Sequence, residues 1–406
     1  MILTRHHLNK FEALVATGMP GAYRLIIFFA LECQFGLSTL GNIASWQSTA
    51  QILGFFTAIG WCTLILVRIP KSIDLKDKIQ NYNSLLLMGL TTLTTIVIIL
   101  IVLGYIFKEL ETTLQISLWL AAWTFYQIPR HYLIAQRKYR QTLLLDSVII
   151  ITSIAFIFIS IERYVSYGLA ICMLLTAIAA NITIQHPKEK PISKRSFEVK
   201  GLEYGLINFL SGGIALSLIP LANYYTNSNF AGALSLFVAF SGIALLIPRA
   251  ISTYRITELS RNTENQKKYQ LTITKTKKDI TLSNIATTIV LLIYTYYTHT
   301  NNAQINSLTP WLTIAILTIT LQYAASTQTL IYSNILQTFE ITKETLKLNL
   351  LCSILFTALC IALYDNQTEQ SLTMICATSA CTALYRYFRI KSIAKKIINK
   401  ARSSPH

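Results

Sequence analysis

Arg24, Glu32, Arg130 and Arg249 are the residues of this 406-residue chain best placed to do chemistry, because each interrupts a long apolar stretch. An ionised side chain at membrane depth is costly and marks a pathway, a binding site or a structural partner. Guanidinium groups are planar donors that suit phosphate oxygens, so the three arginines read as a cationic cavity for a diphosphate. The opposing reading is that each snorkels to a lipid phosphate from near the end of its apolar stretch. Glu32 lies deeper. It sits two helical turns from Arg24, roughly 12 Å along the axis, too far to pair with it. A carboxylate there could bind a coupling proton or sodium ion, or serve as a partner for another helix. Asp146 stands close to Arg137, Lys138 and Arg140 and is expected to pair with this basic link.

Polar and aromatic residues recur at helical spacing around these charges. Trp119, Trp123, Tyr126 and Arg130 follow one helix face. Trp123 and Tyr126 beside a guanidinium suit sugar rings and phosphate, and the alternative is a packing stripe. Gln47 with Gln51, Tyr204 with Asn208 and Ser211, and Gln322 with Ser326, Thr329 and Ser333 form further stripes. Such faces line water or hydrogen-bond to a neighbouring helix. Pro129 and Pro248 immediately precede Arg130 and Arg249, and Pro70 follows Arg68 by two. A proline frees a carbonyl one turn earlier, giving a kink that could gate or simply a helix stop.

Signatures of soluble catalysis are missing. The chain has no Gly-Lys-Ser/Thr phosphate loop, no HExxH and no GxSxG. Its seven cysteines form no CxxC pair and its six histidines are scattered, so neither a metal nor another cofactor is expected. The chain reads as a non-enzyme. No cleavable signal is expected, because the first residues are polar, with Arg5, His6, His7 and Lys10. The sequons at Asn181 and Asn366 are expected to be coincidental.

The elements that must hold these residues follow from composition. Apolar residues make up 53% of the chain and charged residues 13%, about half of what soluble domains carry. A membrane helix needs about 20 apolar residues. Twelve such spans are read at 18–37, 41–67, 85–107, 114–135, 142–160, 165–184, 204–224, 230–253, 280–297, 310–330, 346–364 and 371–388. The net charge of +17 lies almost entirely in alternate gaps and at the two ends, while the intervening gaps hold only Lys108 and Arg163. Short basic loops stay on the cytoplasmic side, so both termini are expected there. This distribution also removes nucleic acid as a partner and leaves the lipid bilayer.

The basic, proline-containing gap 185–201 divides the chain into an N-terminal six-helix bundle (1–184), a cytoplasmic linker (185–201), a C-terminal six-helix bundle (202–388) and a basic cytoplasmic tail (389–406). A weak internal repeat supports two halves. Leu40-Gly41-Asn42-Ile43-Ala44 parallels Ala231-Gly232-Ala233-Leu234-Ser235, and Thr142-Leu143-Leu144-Leu145-Asp146 parallels Thr345-Leu346-Lys347-Leu348-Asn349. The fold class expected is an all-α polytopic membrane protein of about twelve helices in two six-helix bundles around a central cavity.

The stretch from Ile219-Pro220-Leu221 through Asn229-Phe230-Ala231-Gly232-Ala233-Leu234-Ser235 and Ile247-Pro248-Arg249-Ala250-Ile251 to Glu258-Leu259-Ser260-Arg261 resembles the seventh-to-eighth helix region of bacterial polysaccharide flippases. Phe35-Gly36-Leu37 with Leu40-Gly41-Asn42 echoes it in the first half. Ala135-Gln136-Arg137-Lys138-Tyr139-Arg140 is similar to that family's basic link between helices 4 and 5. The resemblance implies a flippase that moves a polyprenyl-diphosphate-linked oligosaccharide, of the O-antigen or capsule type, from the cytoplasmic to the outer leaflet of a bacterial inner membrane by alternating access. It implies Arg24, Arg130 and Arg249 as lumenal contacts and a polysaccharide polymerase as a possible partner. A cation-coupled multidrug exporter of the same superfamily, centred on Glu32, and a membrane glycosyltransferase or polymerase are the rival readings.

Overall fold

A computed structural model describes residues 2–72, 74–184, 198–261, 265–301, 310–339 and 343–403. Most of the linker expected at 185–201, the polar outer gap near 302–309 and the last three residues of the tail fall outside these. The described residues are all-helical or in turns, as the composition requires. The helices are α1 (Ile2–Gly54), α2 (Gly60–Arg68), α3 (Leu75–Ile106), α4 (Leu110–Ala135), α5 (Tyr139–Ile159), α6 (Glu162–Ile184) and α7 (Lys200–Tyr225). They continue with α8 (Ser228–Ala244), α9 (Leu246–Arg261), α10 (Gln266–Asn301), α11 (Pro310–Thr338), α12 (Lys343–Ala362) and α13 (Glu369–Ser403).

Among the described residues, nine helical stretches are long and apolar enough to cross a membrane. The first, Val15–Arg68, has 54 residues, about 80 Å of helix against a hydrocarbon core of about 30 Å. It crosses twice by reversing at Gly36, whose φ of 82° is open to glycine without steric cost. Arg24 and Ser48, each twelve residues from Gly36, meet across the two arms at 2.9 Å. Adding α4 and α13, whose polar residues lower their hydropathy, gives the twelve passes read from sequence. The basic gaps are less loop-like than expected. Helix α3 begins at Leu75 and α10 at Gln266, so Lys76, Lys78, Lys275, Lys277 and Lys278 lie on helical extensions of the spans.

Two compact units comprise residues 1–223 and 224–406. In the first, Trp61, Ile65 and Ile69 of the α2 segment pack with Tyr82, Leu85 and Met88 of α3 and Ile128 and Tyr132 of α4. A π-helical turn, Phe55–Ile59, joins α1 to α2, and Thr57 within it bonds Thr124 of α4 at 2.7 Å. A three-residue 3-10 turn, Ile69–Lys71, closes α2 at Pro70, so this proline acts as the stop signal. Helix α7 also belongs to this unit. Its Gly201 and Gly205 lie so close to Gly60 that a methyl group on Gly60 would strike the Gly201 carbonyl. Arg68 clamps the same junction with a two-pronged ion pair to Glu198. In the second unit, Ile280 of α10, Ile331 and Ile335 of α11, Leu348 of α12 and Ile390 of α13 form the core.

Membrane helices gain little from hydrophobic transfer between one another, so close packing of small residues carries more of their association. Gly60→Ala must therefore push α2 from α7. It is expected to cost about 1–3 kcal/mol and to lower the melting temperature of the detergent-purified protein. An unchanged melting temperature would show that the two backbones do not meet there.

Candidate functional site

The geometry around Arg130 starts with two missing backbone donors. Pro129 has no N–H for the Phe125 carbonyl, and Pro20 has none for the Ala16 carbonyl. In hydrocarbon such a freed acceptor needs another donor. Asn181 of α6 supplies it to Phe125 at 3.2 Å, and the Tyr82 hydroxyl donates in turn to the Asn181 side chain. Arg130 supplies it to Ala16 through Nη2. The Arg130 Nε faces Asp146 of α5 at 3.2 Å and 3.3 Å from the two carboxylate oxygens. The Tyr126 hydroxyl donates to the same carboxylate at 2.8 Å, and the guanidinium stands 5.9 Å from the Tyr126 ring centre. Arg130 is 4% exposed and Asp146 2%. One guanidinium thus ties α1, α4 and α5 together with its charge matched.

This differs from the loop pairing expected for Asp146. The residue lies two turns into α5 and faces Tyr126 and Arg130 of α4. Arg140 of the basic link pairs instead with Glu12 at 2.8 Å.

The Arg24 Nη2 donates to the buried Ser48 hydroxyl at 2.9 Å, and its guanidinium lies 5.1 Å from the Phe28 ring centre. Buried Gln47 neighbours Ser48, and its Oε1 has no hydrogen-bond partner among the described residues. Trp123 is half-buried, packs 5.8 Å from Tyr126 and presses on Gly54, while its indole N–H is buried with no partner among the described residues. The α4 stripe therefore combines packing with one unsatisfied donor. Trp119 fills a packing role, donating to Ser166 at 3.1 Å. Glu32 is half-buried, with the Cys33 thiol 3.9 Å from its carboxylate.

Arg249 lies in the second unit, exposed, at the start of α9. Its neighbour Pro248 frees the Ala244 carbonyl, and Thr287 of α10 answers it at 3.3 Å. The α11 stripe uses Gln322 to accept from Ser379 at 3.0 Å, an interhelical bond. Sequence reasoning missed a fourth intramembrane arginine, Arg386, which falls inside the 371–388 span next to the basic tail and whose Nε is buried with no hydrogen-bond partner among the described residues.

No family model and no curated protein matches this sequence. Solved structures do. The chain is similar to an inward-facing multidrug resistance MATE family transporter of the MOP superfamily, with 13% identity, a TM-score of 0.71, and coverage of 97% of this chain and 100% of that one. A eukaryotic MATE transporter matches with 14% identity, a TM-score of 0.63 and 98% coverage of each chain. A MOP superfamily transporter from Pyrococcus furiosus, described for the reversed polarity of its binding pocket, matches with 13% identity, a TM-score of 0.59, and coverage of 97% of this chain and 95% of that one. The chain has the fold of MATE transporters of the MOP superfamily over nearly its whole length.

The buried pair makes a thermodynamic prediction. Arg130→Met or Asp146→Leu alone leaves an unmatched buried charge and is expected to cost about 3–5 kcal/mol. The double variant is expected to recover most of that. Melting temperatures of the four proteins in detergent measure the cycle, and additive losses would contradict the pairing.

Proposed function

We propose that this chain is a bacterial inner-membrane transporter that exports an amphipathic solute by alternating access. The match to MOP-type transporters over 97% of its length carries this reading. The positive-inside distribution supports cytoplasmic termini.

Two cargo classes have support. The neighbours' descriptions as multidrug transporters favour a multidrug-type exporter, for which the half-buried Glu32 is the candidate coupling acid. Arg24 favours the second, a polyprenyl-diphosphate-linked oligosaccharide flipped for surface polysaccharide synthesis. Its guanidinium reaches Ser48, an arrangement that could hold a diphosphate with charge-assisted hydrogen bonds. Trp123, with a free indole donor, and Tyr126 suit a sugar. In this reading Arg24 contacts the diphosphate from the first unit, while the charge of Arg130 is matched by Asp146. Arg249 would serve the second. The links 107–109 and 160–161 between described helices are too short for the outer catalytic segment of a membrane polymerase.

Deletion in the native host separates these readings. Cytoplasm-facing lipid-linked repeat units should accumulate if the cargo is lipid-linked sugar, and sensitivity to cationic drugs should rise if the cargo is a drug. Restoring Arg24→Gln should lower flipping by about tenfold or more, whereas Glu32→Gln should abolish drug efflux. A deletion strain with neither phenotype would overturn the transporter reading.

A further inference from the structure

A cleft of 490 Å³ opens in the first unit where the turn after α2, the start of α3 and the α4–α5 link converge. Lys78, Arg137 and Lys138 line it, together with Ile69, Pro70 and Leu75, and no acidic side chain among the described residues does. The nearby cations Arg68 and Arg140 are both paired, with Glu198 and Glu12. None of the three cleft cations has an ion-pair partner among the described residues.

The link that presents two of them is held firmly. Arg137 adopts a left-handed backbone with φ of 59°, a conformation uncommon outside glycine and asparagine. Three backbone bonds fix it: Gln136 N–H to Tyr132 at 3.1 Å, Arg137 N–H to Ile134 at 2.9 Å and Lys138 N–H to Leu133 at 2.9 Å. Arg137 and Lys138 are exposed. Together with Lys78 they offer separate donors to a tetrahedral anion.

The ligand chemistry is a phosphate ester. The apolar edge distinguishes its source. Leu75 is 62% exposed at the first position of α3 and lines the cleft with Pro70 and Ile69. Free phosphate would satisfy the cations and leave this edge bare. A phospholipid places its phosphate on the cations and its glycerol and upper acyl carbons against Leu75, Pro70 and Ile69. Basic pockets at the cytoplasmic ends of membrane helices bind anionic headgroups in this manner.

We propose that this cleft binds the headgroup of an anionic phospholipid, independently of the transported cargo. Native mass spectrometry of the full-length protein in detergent, with phosphatidylglycerol or phosphatidylcholine added at equal concentration, tests it. Phosphatidylglycerol should be retained preferentially. Lys78→Gln, Arg137→Asn and Lys138→Gln should each cut that preference about fivefold, with asparagine chosen because it tolerates the left-handed backbone. A control that removes three charges elsewhere, Lys275→Gln with Lys277→Gln and Lys278→Gln on exposed α10 positions, should retain it. Equal retention of both lipids, an unchanged preference in the cleft variants, an equal loss in the control, or displacement by millimolar inorganic phosphate would each overturn the proposal.

Discussion

In hydrocarbon, a backbone carbonyl that loses its helical partner has no water to turn to. Pro20, Pro129, Pro220 and Pro248 impose this constraint, and the carbonyls freed by three of them are answered from another helix. Arg130 meets the Ala16 carbonyl freed by Pro20. Asn181 meets the Phe125 carbonyl freed by Pro129, and Thr287 meets the Ala244 carbonyl freed by Pro248. The packing of α1 on α4, α6 on α4 and α10 on α8 is therefore specified by hydrogen bonds at defined heights as well as by side-chain volume. The polar residues that look like substrate contacts in the sequence include these repair groups, and Arg130 is one of them.

The two units treat a repeated segment differently. Asp146 and Asn349 close the matching segments Thr142-Leu143-Leu144-Leu145-Asp146 and Thr345-Leu346-Lys347-Leu348-Asn349. Asp146 is locked to Arg130 and Tyr126. Asn349 is equally buried, and its Oδ1 has no hydrogen-bond partner among the described residues. A charge pair in one unit thus corresponds to a neutral, under-satisfied amide in the other. Leaving a buried acceptor unpaired costs about 1–3 kcal/mol, a cost that Asp146 does not carry at the matching position of the first unit.

The helical plan was legible because membrane spans are set by length and apolarity alone. All twelve spans fall on helices, and Gly36 marks the reversal. Side-chain roles were harder to read. Arg130 and Arg24 look alike in sequence, each an arginine near the end of an apolar stretch. What separates them is a partner: Asp146 for the first, and Ser48 across a hairpin for the second. The helical spacing of Trp119, Trp123 and Tyr126 was visible, but not that Trp119 would spend its indole N–H on Ser166 while Trp123 would not. Arg386 was missed because a basic tail runs directly out of the last span, and charge counting cannot tell the membrane's edge from its interior. The lengths of α3 and α10 were underestimated because polar helical extensions carry no apolar signal.

The hairpin at Gly36 has a consequence for how the chain enters the bilayer. An arginine alone at the centre of a membrane helix costs about 3 kcal/mol to insert. Arg24 finds Ser48 one hairpin away, and Arg130 finds Asp146 sixteen residues further on, in the next helix. Each cation can leave the insertion machinery already joined to a neighbour made within the same few seconds of synthesis. Its cost in lipid is then borne by a pair of adjacent helices rather than deferred until the whole unit assembles.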